Sequence, residues 1–142
     1  MGKKRIITKE GEGSGEGARS KQKSAKKRVA KGILSVQSTY NNTLITLSDA
    51  QGNTLTWSSS GSLGFRGAKK GTPFAALKAA EVVADRAQNI GIKEVDVNIR
   101  GVGAGRESAL RVFASRGIDI SAIRDRTPVP HNGPRPRKPR RL

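Results

Sequence analysis

The stretch "IRGVGAGRESALR", Ile99–Arg111, decides the fold because it joins a strand to a helix through a loop with three glycines. Before it, residues 93–99 alternate polar and apolar side chains, which predicts a strand. After the glycines, a short helix is expected from about Arg106 to Arg116, and Gly117 ends it. A strand followed directly by a helix is typical of the crossover between parallel strands.

Upstream of this stretch, three short segments predict an antiparallel meander. They read "GILSVQST", "NTLITLS" and "NTLTWSS", and the turn "DAQGN" between the last two contains Gly52. Each is rich in β-branched residues, and a glycine in a short turn is a hairpin signal. A three-stranded unit is therefore expected before the first helix.

The first helix has clear start and stop signals. Thr72 followed by Pro73 is an N-cap with proline at the first helical position, and Gly91 is the expected C-terminal cap. "IDISAIRD", residues 118–125, predicts the last strand. The order βββαβαβ predicts an α/β fold, in which helices pack on a mixed sheet of about five strands.

The charge distribution divides the chain into three parts. The 142 residues carry a formal net charge of +17. Residues 1–31 hold eleven basic and three acidic residues, a net charge of +8, and residues 126–142 hold six basic residues and no acid, +6. The body, 32–125, has eleven basic and eight acidic residues. This pattern predicts a globular domain with two basic arms that lie along a polyanion.

The two arms are expected to lie outside the core. Residues 1–31 are poor in apolar residues, which predicts disorder, and the last sixteen residues hold five of the six prolines, which favours an extended chain. No amphipathic helix or long apolar run accompanies the charge, so nucleic acid is favoured over a membrane. The absence of cysteine excludes disulfides and thiolate metal sites. We expect a soluble cytoplasmic protein without a secretory signal.

The glycine loop itself leaves more than one interpretation. A dinucleotide-binding loop needs a third glycine at position 106, where this chain has Arg106, so a nucleotide cofactor is disfavoured. A short flexible loop without a ligand is one alternative. The other is a nest of backbone amides, formed around Gly101, Gly103 and Gly105 and flanked by Arg100 and Arg106, that binds a phosphate.

A second stretch has the same character. "GSLGFRGAKKGTPFAA", Gly61–Ala76, contains four glycines together with Arg66, Lys69 and Lys70, and leads into the first helix. Because both glycine loops follow a strand and precede a helix, we expect them at one edge of the sheet. Two phosphate-binding loops and two basic arms suit folded RNA, which presents phosphates from several directions.

The residues do not favour an enzyme. A nuclease needs several carboxylates that converge on magnesium, yet the first predicted strand contains no acid. The only histidine, His131, lies in the proline-rich tail, where nothing would hold it as a general base. Among the few aromatic residues, Trp57 and Phe113 are expected in the core, whereas Phe65 either packs or stacks on a base.

Three separate motifs resemble one family. "STYNNTLITLSDAQGNTLTWSSSGSLGFRGAKKGTPFAA", "RGVGAGRESALR" and "TPVPHNGPRPRKPRRL" closely resemble the bacterial type of universal small-subunit ribosomal protein eleven. The resemblance covers about residues 32–142. It implies a ribonuclease-H-like fold and a structural, non-enzymatic role in the cytoplasmic ribosome. It further implies a place on the platform of the small subunit, near the mRNA exit channel and beside other ribosomal proteins, and binding to the central domain of the small-subunit rRNA.

The resemblance also implies which residues contact rRNA. They are Asn41, Asn42, Arg66, Lys69, Lys70, Arg100, Gly101, Gly103, Gly105, Arg106, His131, Asn132, Arg135, Arg137, Lys138, Arg140 and Arg141. The family commonly has proline at positions 102 and 104 and serine at 71, where this chain has Val102, Ala104 and Gly71. We expect no cofactor, metal, small-molecule substrate or membrane partner.

Two further hypotheses concern modification and function. Asn132 precedes Gly133, a pair in which the backbone nitrogen attacks the asparagine side chain readily, so Asn132 is a candidate for conversion to isoaspartate; a plain turn is the alternative. The alternative function is a free-standing regulatory or nucleoid-type module that binds RNA or DNA. A scaffold that acts through protein contacts alone would leave the two glycine loops unexplained.

Overall fold

The computed structural model describes residues 29–139 and residue 141, and it confirms the predicted order of elements. The elements are β1 (Lys31–Ser38), β2 (Thr43–Ser48), β3 (Thr54–Ser59), α1 (Pro73–Ile90), β4 (Glu94–Arg100), α2 (Gly105–Ser115) and β5 (Asp119–Asp125), with a 3-10 turn over Gly67–Gly71 before α1. The structure is therefore a mixed α/β fold with five strands and two helices, as the sequence predicts.

The five strands form one sheet in the order β3-β2-β1-β4-β5. β2 pairs antiparallel with both β1 and β3, whereas β4 pairs parallel with both β1 and β5. All strands except β2 therefore point the same way, and their carboxyl ends meet at one edge of the sheet. We call this the carboxyl edge. The opposite side, the amino edge, carries the β2–β3 turn and the start of β4.

Helix α1 begins and ends where the sequence predicts. The Thr72 hydroxyl accepts a hydrogen bond from the Ala75 amide at 3.3 Å, and Pro73 occupies the first turn. At the other end Gly91 adopts φ +94°, and its amide donates to the carbonyls of Ala87 and Gln88. The buried side of α1 consists almost entirely of alanine, which lets the helix lie close to the sheet.

The core lies between the two helices and one face of the sheet. Leu34 and Val36 of β1 point into it, while Ser35 and Gln37 point to the other face. Phe113 of α2 is completely buried, as predicted. Among the described residues, no helix covers the other face, which we call the uncovered face. No helix in this part of the chain is long and apolar enough to cross a membrane.

The prediction that Trp57 belongs to the core is wrong. Its side chain is 53% exposed. Side chains alternate along a strand, and β3 turns Thr56 and Ser58 toward the helices, so Trp57 falls on the uncovered face. The alternation of side chains along the strand decides on which face Trp57 lies.

The predicted arms lie partly outside the described residues. Residues 1–28 and Arg140 are among those not described. Lys31, placed in the arm by the sequence, is the first residue of β1 and pairs with Glu94 in the sheet register. Residues 126–139 contain no helix or strand and are almost entirely exposed.

Candidate nucleic-acid interface

Four segments meet at the carboxyl edge. They are the β1–β2 turn (residues 39–42), the β3–α1 loop (60–72), the β4–α2 loop (101–104) and the start of the tail. The Gly103 amide donates to the Ser38 carbonyl at 3.0 Å, and the Gly101 amide donates to the Thr127 hydroxyl at 3.1 Å. The Ser60 amide donates to the Thr43 carbonyl at 3.0 Å. Both glycine loops therefore lie at one edge, as predicted.

The β4–α2 loop is packed against β1 so closely that side chains do not fit. A Cβ added to Gly103 would lie 2.3 Å from the Thr39 carbonyl oxygen, and one at Gly105 would lie 2.4 Å from the Thr43 hydroxyl. Gly101 also adopts φ +96°, a conformation that favours glycine. These glycines are required by close packing of the protein against itself.

The expected nest of free amides is wrong for these three glycines. The amides of Gly101 and Gly103 bind Thr127 and the Ser38 carbonyl, and the Gly105 amide donates to the Ser38 hydroxyl at 3.2 Å. Because each amide already has an acceptor within the protein, the loop does not offer them to a phosphate. Contact between RNA and other groups of this loop stays a prediction.

Ser38 is the residue that holds this loop, and sequence reasoning did not find it. It is completely buried at the end of β1. Its carbonyl oxygen accepts from Gly103, and its hydroxyl accepts from Gly105 and lies 3.3 Å from the Thr43 hydroxyl. A serine that ends an alternating strand gives no sequence signal for such a role, because its partner lies 67 residues away.

Arg106 is also engaged within the protein. Its guanidinium donates to the Gly101 carbonyl and forms an ion pair with Asp125. Hydrogen bonds from Thr127, followed by the one from Arg106, hold the pKa of Asp125 far below its ordinary value. This arrangement joins the β4–α2 loop to the start of the tail.

The middle of the β3–α1 loop, residues 61–70, is more open. Gly64 and Gly67 have positive φ angles, but a Cβ on either would meet no atom within 4 Å. Arg66 and Lys69 are exposed, and Lys69 and Lys70 stand in the last turn of the 3-10 segment. None of these three cations makes an ion pair with a described residue. No described carboxylate therefore neutralises these three charges, of which that of Lys70 is on a half-buried residue.

Most cations away from this edge have acidic partners. The ion pairs in the described part of the chain are Lys31 with Glu94 and Asp96, Lys78 with Glu81, Arg106 with Asp125, Arg111 with Glu107, Arg116 with Asp85, and Arg124 with Asp96. At the carboxyl edge, Arg66, Lys69, Lys70, Arg100 and Arg126 make none with described residues. The unneutralised charge of the body is thus concentrated where its loops meet.

The β1–β2 turn is closed by Thr39. Its amide donates to the Asn42 carbonyl at 2.9 Å, and its hydroxyl accepts from the Asn42 amide at 3.1 Å. Asn41 is exposed, and the side-chain oxygen of Asn42 is buried with no hydrogen-bond partner among the described residues. The asparagine side chains are not needed to close the turn, which is compatible with the predicted RNA contact.

The described part of the tail is exposed and basic. His131, Arg135, Arg137, Lys138 and Arg141 are all exposed. Asn132 has a φ of 55°, the only positive value for a residue other than glycine in the described chain. An asparagine with positive φ before glycine is typical of a tight turn. Conversion of Asn132 to isoaspartate stays a prediction.

Comparison with known proteins identifies the family. The model of the family "Ribosomal protein S11" matches residues 32–141. The "Small ribosomal subunit protein uS11" of Solibacter usitatus is 52% identical over 126 residues, which cover 86% of this chain and 93% of the relative. That of Treponema pallidum is 53% identical over 122 residues, covering 86% and 97%. The chain belongs to the ribosomal protein S11 family.

Membership in the S11 family gives the site its context. The chain is a small-subunit ribosomal protein with a structural role in the cytoplasmic ribosome, and its family is not one of enzymes. Family membership also disfavours the free-standing regulatory module. The residues at the carboxyl edge are therefore considered below as parts of a ribosomal protein.

The three positions at which the sequence departs from the resemblance noted above, 71, 102 and 104, lie in the site. Val102 is 59% exposed and Ala104 is exposed, so neither is held by packing. Gly71 is different, because a Cβ there would lie 2.0 Å from the Tyr40 carbonyl oxygen. The β1–β2 turn and the end of the β3–α1 loop approach each other at Gly71, so a serine would require the backbone to move.

Proposed function

We propose that this protein binds small-subunit rRNA through its carboxyl edge. The observation that supports the proposal is the group of cations at this edge that have no acidic partner among the described residues. Two of them, Lys69 and Lys70, are adjacent in the last turn of the 3-10 segment. Phosphates supply most of the affinity of a protein for nucleic acid, since each neutralised phosphate releases counterions. A carboxylate beside a lysine would compete with the phosphate, and none of the described carboxylates pairs with these two.

The fold supplies the position of these charges. Short, hydrogen-bonded connections at the carboxyl edge hold three loops and the tail in one place, so the loops meet RNA as one surface. Arg106 contributes by holding the β4–α2 loop and the tail together, and Arg66 and Arg100 are free to bind phosphates. We propose that the exposed tail, from His131 to Arg141, continues this surface into the folded RNA.

The binding experiment compares two pairs of lysines on opposite edges. Full-length protein is titrated against a transcript of the central domain of small-subunit rRNA over a range of salt concentrations. The double variant Lys69→Ala/Lys70→Ala is expected to flatten the slope of log affinity against log salt by about 1.4–1.8, because two phosphate contacts are lost. The matched control is Lys31→Ala/Lys93→Ala, which removes the same charge from the amino edge and should leave the slope nearly unchanged. Equal losses in both double variants would contradict an interface at the carboxyl edge and indicate a diffuse electrostatic attraction.

We also propose where the protein lies within the small subunit. It lies on the platform, beside other ribosomal proteins and near the mRNA exit channel. The resemblance of the three motifs supports it. Because the chain has no cysteine, Val129→Cys provides a unique attachment site on the exposed tail for an iron chelate that cleaves nearby RNA. In assembled subunits, cleavage is expected in the central domain of the rRNA. Cleavage confined to other domains would contradict this placement.

A further inference from the structure

The uncovered face of the sheet contains a cavity of about 420 Å³ that the glycine loops do not line. Its floor is formed by β1 and β4, where strand pairing sets Ser35 beside Asn98 and Gln37 beside Arg100. Arg126, the residue that follows β5, also lines it. The cavity is polar, and its volume lies in the range of small-ligand sites.

Asn98 carries an unsatisfied hydrogen-bond acceptor in this cavity. Its side-chain oxygen Oδ1 is buried and has no partner among the described residues. A buried polar atom without a partner costs free energy, so such atoms usually meet a ligand or an ordered water. An asparagine amide offers one acceptor and one donor side by side. The N6 amine and N7 nitrogen of adenine complement that pair.

The charges around the cavity favour a ligand with phosphates. Arg100 and Arg126 are both exposed and pair with no described carboxylate. Asp96 lies on the same face, two residues before Asn98 on β4. Its carboxylate already binds Lys31, Arg124 and the Ser121 hydroxyl. The cavity therefore combines the amide of Asn98 with two exposed guanidinium groups that pair with no described carboxylate.

We infer that this cavity binds one unpaired adenine nucleotide of the RNA. The Asn98 amide rotates to bring its buried Oδ1 to the base, and Arg100 and Arg126 bind the phosphates on either side of it. Sequence-specific recognition of RNA generally uses bases that are splayed out of helices, and a cavity on an open sheet accepts such a base. The inference rests on the proposed function and adds a base preference that the loops alone would not produce.

The test measures a preference between bases, because attraction to phosphates is the same for every sequence. Full-length protein is titrated against fluorescently labelled single-stranded octamers of adenylate and of uridylate at one salt concentration. The wild-type chain is expected to bind octaadenylate about tenfold more tightly than octauridylate, the ratio that one bidentate amide contact provides. Asn98→Ala should abolish the preference, and Asn89→Ala, at an exposed asparagine near the end of α1, should keep it.

Folding of the variants is checked by thermal unfolding, and Asn98→Thr is measured beside Asn98→Ala because threonine suits a strand and also lacks the amide. Equal binding of the two octamers by the wild-type chain would overturn the inference, and so would a preference that survives both substitutions at Asn98. The double variant Lys69→Ala/Lys70→Ala distinguishes failure of the adenine-site inference from failure of the proposed rRNA-binding function. That double variant should weaken both octamers equally and leave their ratio unchanged, whereas a wild-type chain that binds neither octamer nor rRNA contradicts both proposals.

Discussion

The two glycine loops of this protein look alike in sequence and have opposite structural roles. The β4–α2 loop turns its glycine amides inward, and there is no room on it for a Cβ at Gly103 or Gly105. The β3–α1 loop leaves Gly64 and Gly67 in open space and carries unpaired cations. The glycines of the first loop are packed against the rest of the protein, whereas Gly64 and Gly67 of the second loop are not. Glycine spacing alone does not distinguish a loop that binds phosphate from one that packs against its own protein.

The strongest test of this comparison substitutes one glycine in each loop. Gly103→Ala is expected to lower the free energy of unfolding by about 3 kcal/mol, at the upper end of the cost of overpacking, because its new methyl would overlap Ser38 and Thr39. In Gly64→Ala the new methyl group meets no atom within 4 Å, so only the positive φ is unfavourable. The free energy of unfolding should fall by about 1 kcal/mol. Urea unfolding of both variants measures the difference. Similar losses in the two variants would show that the loops do not differ in packing.

A second test removes the residue that holds the β4–α2 loop. Ser38→Ala leaves the Gly105 amide and the Thr43 hydroxyl without their buried partner, and should cost about 2 kcal/mol. Ser35→Ala is the matched control, since Ser35 lies on the same strand but is exposed on the other face. Its free energy of unfolding is expected to change by less than about 0.5 kcal/mol. A neutral Ser38→Ala would mean that Ser38 does not hold the loop.

The smallest effect concerns pH. Asp125 is stabilised in its charged form by Thr127 and Arg106, so its pKa in the folded protein lies below the ordinary value of 3.8. The stability that this group contributes is present above about pH 4 and is lost as the pH falls through and below that value. The melting temperature of the wild-type chain should therefore fall more steeply between pH 5 and pH 2 than that of Asp125→Asn. If the melting temperatures of the two proteins changed in parallel with pH, Asp125 would not bind Arg106 and Thr127 in solution.

Most of the fold was predictable from local signals. The Thr72-Pro73 start, the Gly91 stop and the period-2 strands are set by backbone chemistry within a few residues, so the order of elements and their approximate bounds follow from the sequence. The exposed position of Trp57 does not follow from such local signals. The side of a strand that faces the helices depends on packing across the whole sheet.

The site was predictable in position but not in its internal contacts. Two loops after parallel strands meet at one edge by topology, and lysines beside glycines indicate a cationic surface. The engagement of Arg106 by Asp125, and of the loop amides by Ser38, depends on contacts between residues that are distant in the chain. The uncovered-face cavity is lined by residues of β1 and β4 that are distant in the chain, such as Ser35 and Asn98, and no local pattern reveals their pairing.

The arrangement of the sheet has a practical consequence for following this protein in assembly. Because β2 alone runs against the other strands, the β2–β3 turn is at the far end of the sheet from the carboxyl edge, and Gln51 there is exposed. The chain has no cysteine of its own, so Gln51→Cys creates a single thiol for a fluorophore. Such a dye reports on incorporation into particles from the edge of the sheet opposite the proposed RNA-binding edge.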